Sequence, residues 1–263
     1  LVPIISRNSF DNEATKFLEK YYPIALEEPV AVPIRTIAED MGLIITEKEL
    51  LSSELDVFGL VVFEDGNVQD KNKNIVIRNA KRGMIFIDPS VYFERTLGTV
   101  NFTVAHECFH WFRHQPYHAL MKMLGSDDKL GKIIQCSIGS NGKDTEKWKP
   151  IDWMEWQANG VALHILMPTK TAKVKIDELI KKYQITFDGI DGYRIEEMIS
   201  ELADFYGLSK QAVKMRMREL GYSKVDGAFT YVNGQYVTPF TFDASALSDN
   251  QSFTICLLYT SPS

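Results

Sequence analysis

The stretch that decides the fold is Phe102–His114, FTVAHECFHWFRH, answered later in the chain by Glu155–Pro168, EWQANGVALHILMP. Residues four apart share one face of a helix. His106 and His110 can therefore grip one divalent ion while Glu107 stands beside it. Glu155, in the second string, can supply a third ligand. Two histidines, one carboxylate and an open fourth position describe a catalytic zinc site rather than a closed structural one.

The surroundings of both strings agree with this chemistry. Phe102, Val104, Ala105, Cys108, Phe109, Trp111 and Phe112 make the first helix apolar almost all round, which predicts burial. A buried carboxylate without a partner is costly, and a metal ion supplies that partner. At 100° per residue, Glu155 and Asn159 fall on the same side of the second helix as Ala158, Ala162 and Leu166, the inward stripe. No Lys or Arg lies one turn from Glu155 on that helix. A glutamate there either ligates a metal or accepts hydrogen bonds from Trp or backbone donors. Glu107 is the expected general base, taking a proton from the attacking water and passing it to the leaving amine. Asn159 is placed either to orient a ligand histidine from outside the metal shell or to sit on the helix surface.

Histidines recur at 106, 110, 114 and 118. Each helical turn advances about 5–6 Å, so His114 cannot share one ion with His106 and His110 while the helix stays regular. It belongs to the surroundings of the site, against substrate or as an ordinary polar neighbour. His164 lies opposite Glu155 on its helix and is expected to be exposed. Cys108 turns away from the metal face and reads as a small core residue. Tyr117 is a candidate donor to a developing oxyanion.

The chain has 263 residues, 45% hydrophobic and 24% charged, an ordinary globular composition. Its net charge of −6 argues against a mainly electrostatic nucleic-acid binder. Cys108, Cys136 and Cys256 form no CxxC pair, which fits a reducing cytoplasm better than a disulfide-stapled secreted protein. No apolar run approaches a membrane span, and no secretory signal is read after Leu1. The closing Cys256–Ser263, CLLYTSPS, reads as the translation of a sequencing-library adapter, with a natural apolar tail as the alternative, and is set aside from the fold reading.

Helices are expected at Asp11–Tyr22 and at Pro33–Met41, the second opened by Pro33 and ended by Gly42. Short strands follow at Leu43–Thr46, Val57–Phe63, Asn74–Arg78 and Gly83–Ile87. Short turns between them favour an antiparallel or mixed sheet over a βαβ array. A helix spans Leu97–Phe112. Met123–Pro150, rich in Gly, Ser, Asp and Lys, reads as a long loop, either a lid or a solvated insertion. Helices return at Ile151–Met167, Lys170–Tyr183, Ile195–Tyr206 and Lys210–Leu220. Val225–Phe242, with Phe229, Tyr231, Tyr236 and a turn at Asn233–Gly234, reads as a hairpin.

The two strings together resemble the ImmA/IrrE family of metallo-endopeptidases. The family pattern is Phe and Thr before HELGH, then ExxAN, then an alanine-containing stretch ending in LLMP. Phe102, Thr103, Ala105, His106, Glu107 and His110 match its first part. Glu155, Ala158, Asn159, Ala162, Leu166, Met167 and Pro168 match its second. Cys108 and Phe109 replace the usual Leu-Gly, at positions that do not touch metal. The resemblance implies zinc held by His106, His110 and Glu155, with Glu107 catalytic. It implies an α+β, zincin-like core over residues 1–168, a small antiparallel or mixed sheet packed on the two motif helices. A helix-turn-helix-like region at 169–222 and a hairpin region at 223–255 follow, with 256–263 the foreign tail. The implied activity is regulatory cleavage of a helix-turn-helix repressor of mobile elements or stress genes.

The segment LADFYGLSKQAVKMRMRELGY leaves a second reading open. With Ser209 as N-cap, a basic helix carrying Lys210, Lys214, Arg216 and Arg218 could read DNA in a major groove. The protein would then be a DNA-binding transcriptional regulator with a structural or sensory metal. Packing on the protease core, or docking of a protein, is favoured over DNA because the chain is acidic.

Overall fold

The computed structural model describes residues 2–52, 57–69, 76–94, 97–124, 133–137, 148–186, 192–222, 225, 230–232 and 235–237. In chain order, helix α1 (Phe10–Tyr21) and helix α2 (Ile34–Asp40) precede strands β1 (Ile44–Thr46), β2 (Val57–Val62), β3 (Gly66–Gln69), β4 (Val76–Ala80) and β5 (Met84–Ile87). Helices α3 (Ser90–Glu94), α4 (Leu97–Arg113) and α5 (Gln115–Met123) follow, then strand β6 (Ile133–Ser137). The chain continues with helices α6 (Pro150–Leu166), α7 (Thr169–Lys182), α8 (Gly192–Tyr206) and α9 (Lys210–Glu219). Strands β7 (Thr230–Val232) and β8 (Gln235–Val237) pair antiparallel, Tyr231 opposite Tyr236. The rest of the expected hairpin segment, apart from Val225, and the adapter-like tail lie outside the described residues. The architecture is α+β, and the main sheet is mixed.

That sheet has the order β1-β5-β2-β6, with β1 parallel to β5 and both β2 pairings antiparallel. Every residue of β2, VFGLVV, is buried, because both faces of this strand are covered. Phe58, Val61 and Phe63 join the main core with the helices. Val57, Leu60 and Val62 face a second cluster, completed by Val68, Ile77 and Ala80 of the β3–β4 ribbon. A register shift between Val57 and Gly59 interrupts the pleat and lets Gly59 turn toward α4. There a Cβ at position 59 would collide with the Thr103 methyl. Thr103 is locked in place by donating its hydroxyl to the Thr99 carbonyl at 2.9 Å. Glycine at 59 thus lets α4 lie directly on the sheet, one turn before its first histidine.

Helix α6 lies beside α4 and is buried on nearly every side, flanked also by α1 and α9. The C-terminal helices are packed on this core. The start of α9 presses on the first turn of α4, where a side chain at Gly98 would strike the Leu208–Ser209 backbone. Asn101 donates to the Gly207 carbonyl at 2.8 Å nearby. Ser209 caps α9, accepting from the Ala212 amide at 3.1 Å.

The structure corrects several sequence expectations. Met123–Pro150 is not one long loop: its residues Ile133–Ser137 form β6 and pair with β2, Leu60 opposite Gln135. Five residues in a Gly- and Lys-rich setting carry too little periodicity to announce a strand whose partner lies so far away. Beyond α4 the chain turns at His114 and re-enters helix as α5, with Pro116 in its first turn, where a missing N–H costs nothing. Strand β3 was also not expected; it pairs with β4 in a ribbon apart from the main sheet. Among the described residues no helix is long and apolar enough to cross a membrane.

Candidate metal centre

Helices α4 and α6 bring together the three residues that the sequence singles out as ligands. His106 Nε2 lies 2.8 Å from His110 Nε2. Glu155 places Oε2 3.4 Å from His106 Nε2 and Oε1 3.3 Å from His110 Nε2. These donor atoms all lie within 4.8 Å of one another, and among the described residues they form the one such group of histidine, cysteine and carboxylate side chains. Both histidines are fully buried and Glu155 is only 8% exposed, so all three candidate ligands are shielded from bulk water. The helix that delivers Glu155 opens with Pro150 in its first turn, and Asp152 accepts from the Lys149 amide at 2.8 Å.

The donor set fits a divalent cation. Burial pushes the His110 pKa well below its usual range, and the neighbouring His106 and His118 push it further down. The neutral imidazole, whose free nitrogen is a metal ligand, is therefore the resting form. Among the described residues Glu155 Oε1 and His106 Nδ1 have no hydrogen-bond partner. A buried carboxylate oxygen between two imidazole nitrogens is a costly arrangement that a cation relieves. Glu107 is fully buried on α4, between the two histidines in sequence. Cys108 is a free, fully buried thiol whose pKa is driven up by burial and then by the Glu107 charge. It is a core residue and lies outside the metal group.

His114 is fully buried and is not a fourth ligand. Its Nδ1 lies 2.8 Å from His110 Nδ1, on the side of that ring away from the cluster. Its Nε2 lies 3.0 Å from Gln157 Oε1. Burial and then the charge of His110 hold the His114 pKa well below the usual value. Gln157 Nε2 in turn donates to the Pro3 carbonyl at 2.7 Å. Gln157 and Pro3 were missed by sequence reasoning. The inward stripe through Glu155 does not contain Gln157, and only the burial of α6 on all sides brings that side chain into the interior. Asn159 is buried as expected for an inward residue, but no hydrogen bond joins it to His106 or His110, and its Oδ1 has no hydrogen-bond partner among the described residues.

One further expectation is corrected, and the favoured packing of the basic helix can be seen in detail. His164 is not exposed: it is 8% accessible, with Nδ1 2.7 Å from Asp11 Oδ1 and Nε2 3.1 Å from an Arg216 guanidinium nitrogen. The basic residues of α9 do not form an open face for DNA. Arg216 is 1% exposed and binds Asp11, Thr169, Glu219 and the Met167 carbonyl. Lys214 is buried, 3.1 Å from Glu196. Lys210 is exposed but also pairs with Glu196, at 2.9 Å, and Arg218 is half-buried. Lys210, Lys214 and Arg216 are spent on acidic groups of the protein itself.

Compared with known families, residues 55–218 match the peptidase M78 family model, described as the IrrE N-terminal-like domain. The matched span contains both motif helices and runs into α9. No curated protein matches the chain.

Proposed function

We propose that this chain, which belongs to the IrrE N-terminal-like domain family of peptidases, is a zinc-dependent endopeptidase with its metal held by His106, His110 and Glu155. Membership in the family makes it a metallopeptidase of the IrrE/ImmA kind. The observation that carries the finer reading is the buried convergence of two imidazole nitrogens and one carboxylate from α4 and α6. That set of three leaves room for a water or a substrate oxygen, as catalytic zinc sites do. Zinc bound there would polarise the scissile carbonyl and bring the pKa of a water toward neutrality.

The remaining steps fall to the side chains. Glu107 is the general base: its carboxylate accepts the proton of the attacking water and returns it to the leaving amine nitrogen. The burial of His106, Glu107 and His110 keeps bulk water from screening these charges. Glu155, delivered by the second helix, completes the ligand set from the side opposite the two histidines' own helix.

The substrate class we propose is a helix-turn-helix transcriptional repressor, cleaved in the cytoplasm to relieve repression. Support comes from the ImmA/IrrE pattern in the two strings and from cysteine usage suited to a reducing compartment. The reading of the chain as a DNA-binding regulator loses its support in α9, where Lys214 and Arg216 are buried.

The test combines metal analysis with cleavage. The purified chain should carry zinc near one equivalent. Glu107→Gln should keep the zinc and lose cleavage of repressors encoded beside its gene. His110→Ala should lose both. A zinc-loaded wild-type chain that cleaves none of those repressors overturns the proposed substrate, and one that cleaves no polypeptide overturns the activity.

A further inference from the structure

We infer that His114 and Gln157 are positioning residues that fix His110 in its metal-binding tautomer, and that the main-chain carbonyl of Pro3 sets the direction of this hydrogen-bond relay. The inference rests on the metal-site reading above and adds to it a support that reaches from the ligand to the N-terminal segment.

The direction follows from which atoms can donate. A carbonyl oxygen only accepts. The Gln157 amide must therefore turn its NH2 group to the Pro3 oxygen, at 2.7 Å, and its own oxygen to His114. That oxygen also only accepts, so the hydrogen at the 3.0 Å contact sits on His114 Nε2. A neutral imidazole carries one ring hydrogen, which leaves His114 Nδ1 as an acceptor. It faces His110 Nδ1 at 2.8 Å, and the hydrogen between them belongs to His110. His110 Nε2 keeps its lone pair and points at His106 Nε2 and Glu155, where the metal is required.

His114 and Gln157 each use one donor and one acceptor, in the same sense, and the series ends on the accepting Pro3 oxygen. Reversing it would set the Gln157 and Pro3 oxygens face to face. Burial of His110, His114 and Gln157 removes most competition from water for these bonds. A metal-ligating histidine whose other ring nitrogen donates to a fixed acceptor is both oriented and more basic. In this chain the acceptor is a second histidine, itself fixed by an amide.

The experiment measures zinc affinity by competition with a chromophoric chelator in the full chain. The wild type is compared with His114→Leu, Gln157→Leu and His114→Gln. Visible absorption of the Co2+-loaded proteins and melting of the metal-free proteins are recorded beside it. Both leucine variants are expected to bind zinc about 10- to 100-fold more weakly and to alter the Co2+ spectrum. His114→Gln offers an acceptor and a donor in the same stretch of space and should recover most of the loss. Leucine variants that bind zinc as tightly as the wild type, with an unchanged Co2+ spectrum and only a lower melting temperature, would show a packing role and overturn the relay. A wild-type chain that takes up neither ion overturns the metal-site reading itself, and the relay with it.

Discussion

Arg216, on α9, lies 2.8 Å from Asp11 near the start of α1, so the ends of the described helical framework are tied by one buried guanidinium. The same group donates from Nε to the Met167 carbonyl at the end of α6, at 3.0 Å. It also meets Thr169 at 2.8 Å and Glu219 at 3.1 Å. Three elements that flank or carry the candidate metal centre share this one side chain. Arg216→Met should lower stability by about 2–4 kcal/mol, since it strands a buried carbonyl and removes one partner each from Asp11 and Glu219. Urea denaturation of the variant and the wild type measures the loss. Because Arg216 has no access to solvent, the change should leave any residual DNA affinity as it was.

Acid should weaken the same junction. Burial raises the Asp11 pKa, but the hydrogen bond from His164 and the charges of Arg216 and His164 outweigh it and hold the carboxyl well below its usual range. Glu219 is likewise lowered: burial raises it, and its bond to His164 and the charges of His164 and Arg216 prevail. A depressed folded-state pKa means that the unfolded chain binds more protons. Stability from these groups is full above their unfolded values, about pH 4, and falls as pH drops toward the folded ones. Urea midpoints across the acid range should show this decline. In Asp11→Asn the neutral-pH stability should be lower and the acid slope shallower; an identical slope would remove Asp11 from the account.

The contact between Gly59 and Thr103 sets how closely α4 lies on the sheet. Gly59→Ala puts a methyl against the Thr103 Cγ2 and should destabilise by about 1–3 kcal/mol. Thr103→Ser keeps the hydroxyl that bonds to Thr99 and removes the obstructing methyl. The double variant should therefore be more stable than the two single effects predict by addition. Thermal melts of the four proteins close this cycle, and strict additivity would place the crowding elsewhere.

Metal should stabilise the fold in proportion to its occupancy. Zinc at a thousandfold over its dissociation constant would add about 4 kcal/mol to a wild-type chain that binds it only when folded. Glu107→Gln should show the same rise in melting temperature, whereas His110→Ala and Glu155→Ala should lose most of it. Differential scanning calorimetry with and without a chelator separates these cases.

The helices that carry the candidate site were legible because their signals are local. HExxH fixes a spacing of four, and the apolar residues around it announce a buried helix. EWQAN places one carboxylate on an inward stripe. The long-range partners were not legible. Strand β6 exists through pairing with β2, which its own five residues do not reveal. His164 was assigned to the surface because a helix is usually read as having one buried face, whereas α6 has almost none exposed. Arg216 looked like part of a solvated basic stripe until Asp11, from the first helix, was seen beside it. Gln157 has an apparently neutral place in its motif, and its role depends on a turn at His114 and on a carbonyl from the opposite end of the sequence.

The Pro3 contact has a practical side. It is made by the peptide backbone, so any amino acid at that position offers the same oxygen, and substitutions there leave no mark for homologue comparison to detect. What matters is that the strand of chain is present and correctly laid down. Displacing this stretch of backbone would therefore act on metal loading through Gln157 and His114, without altering any ligand.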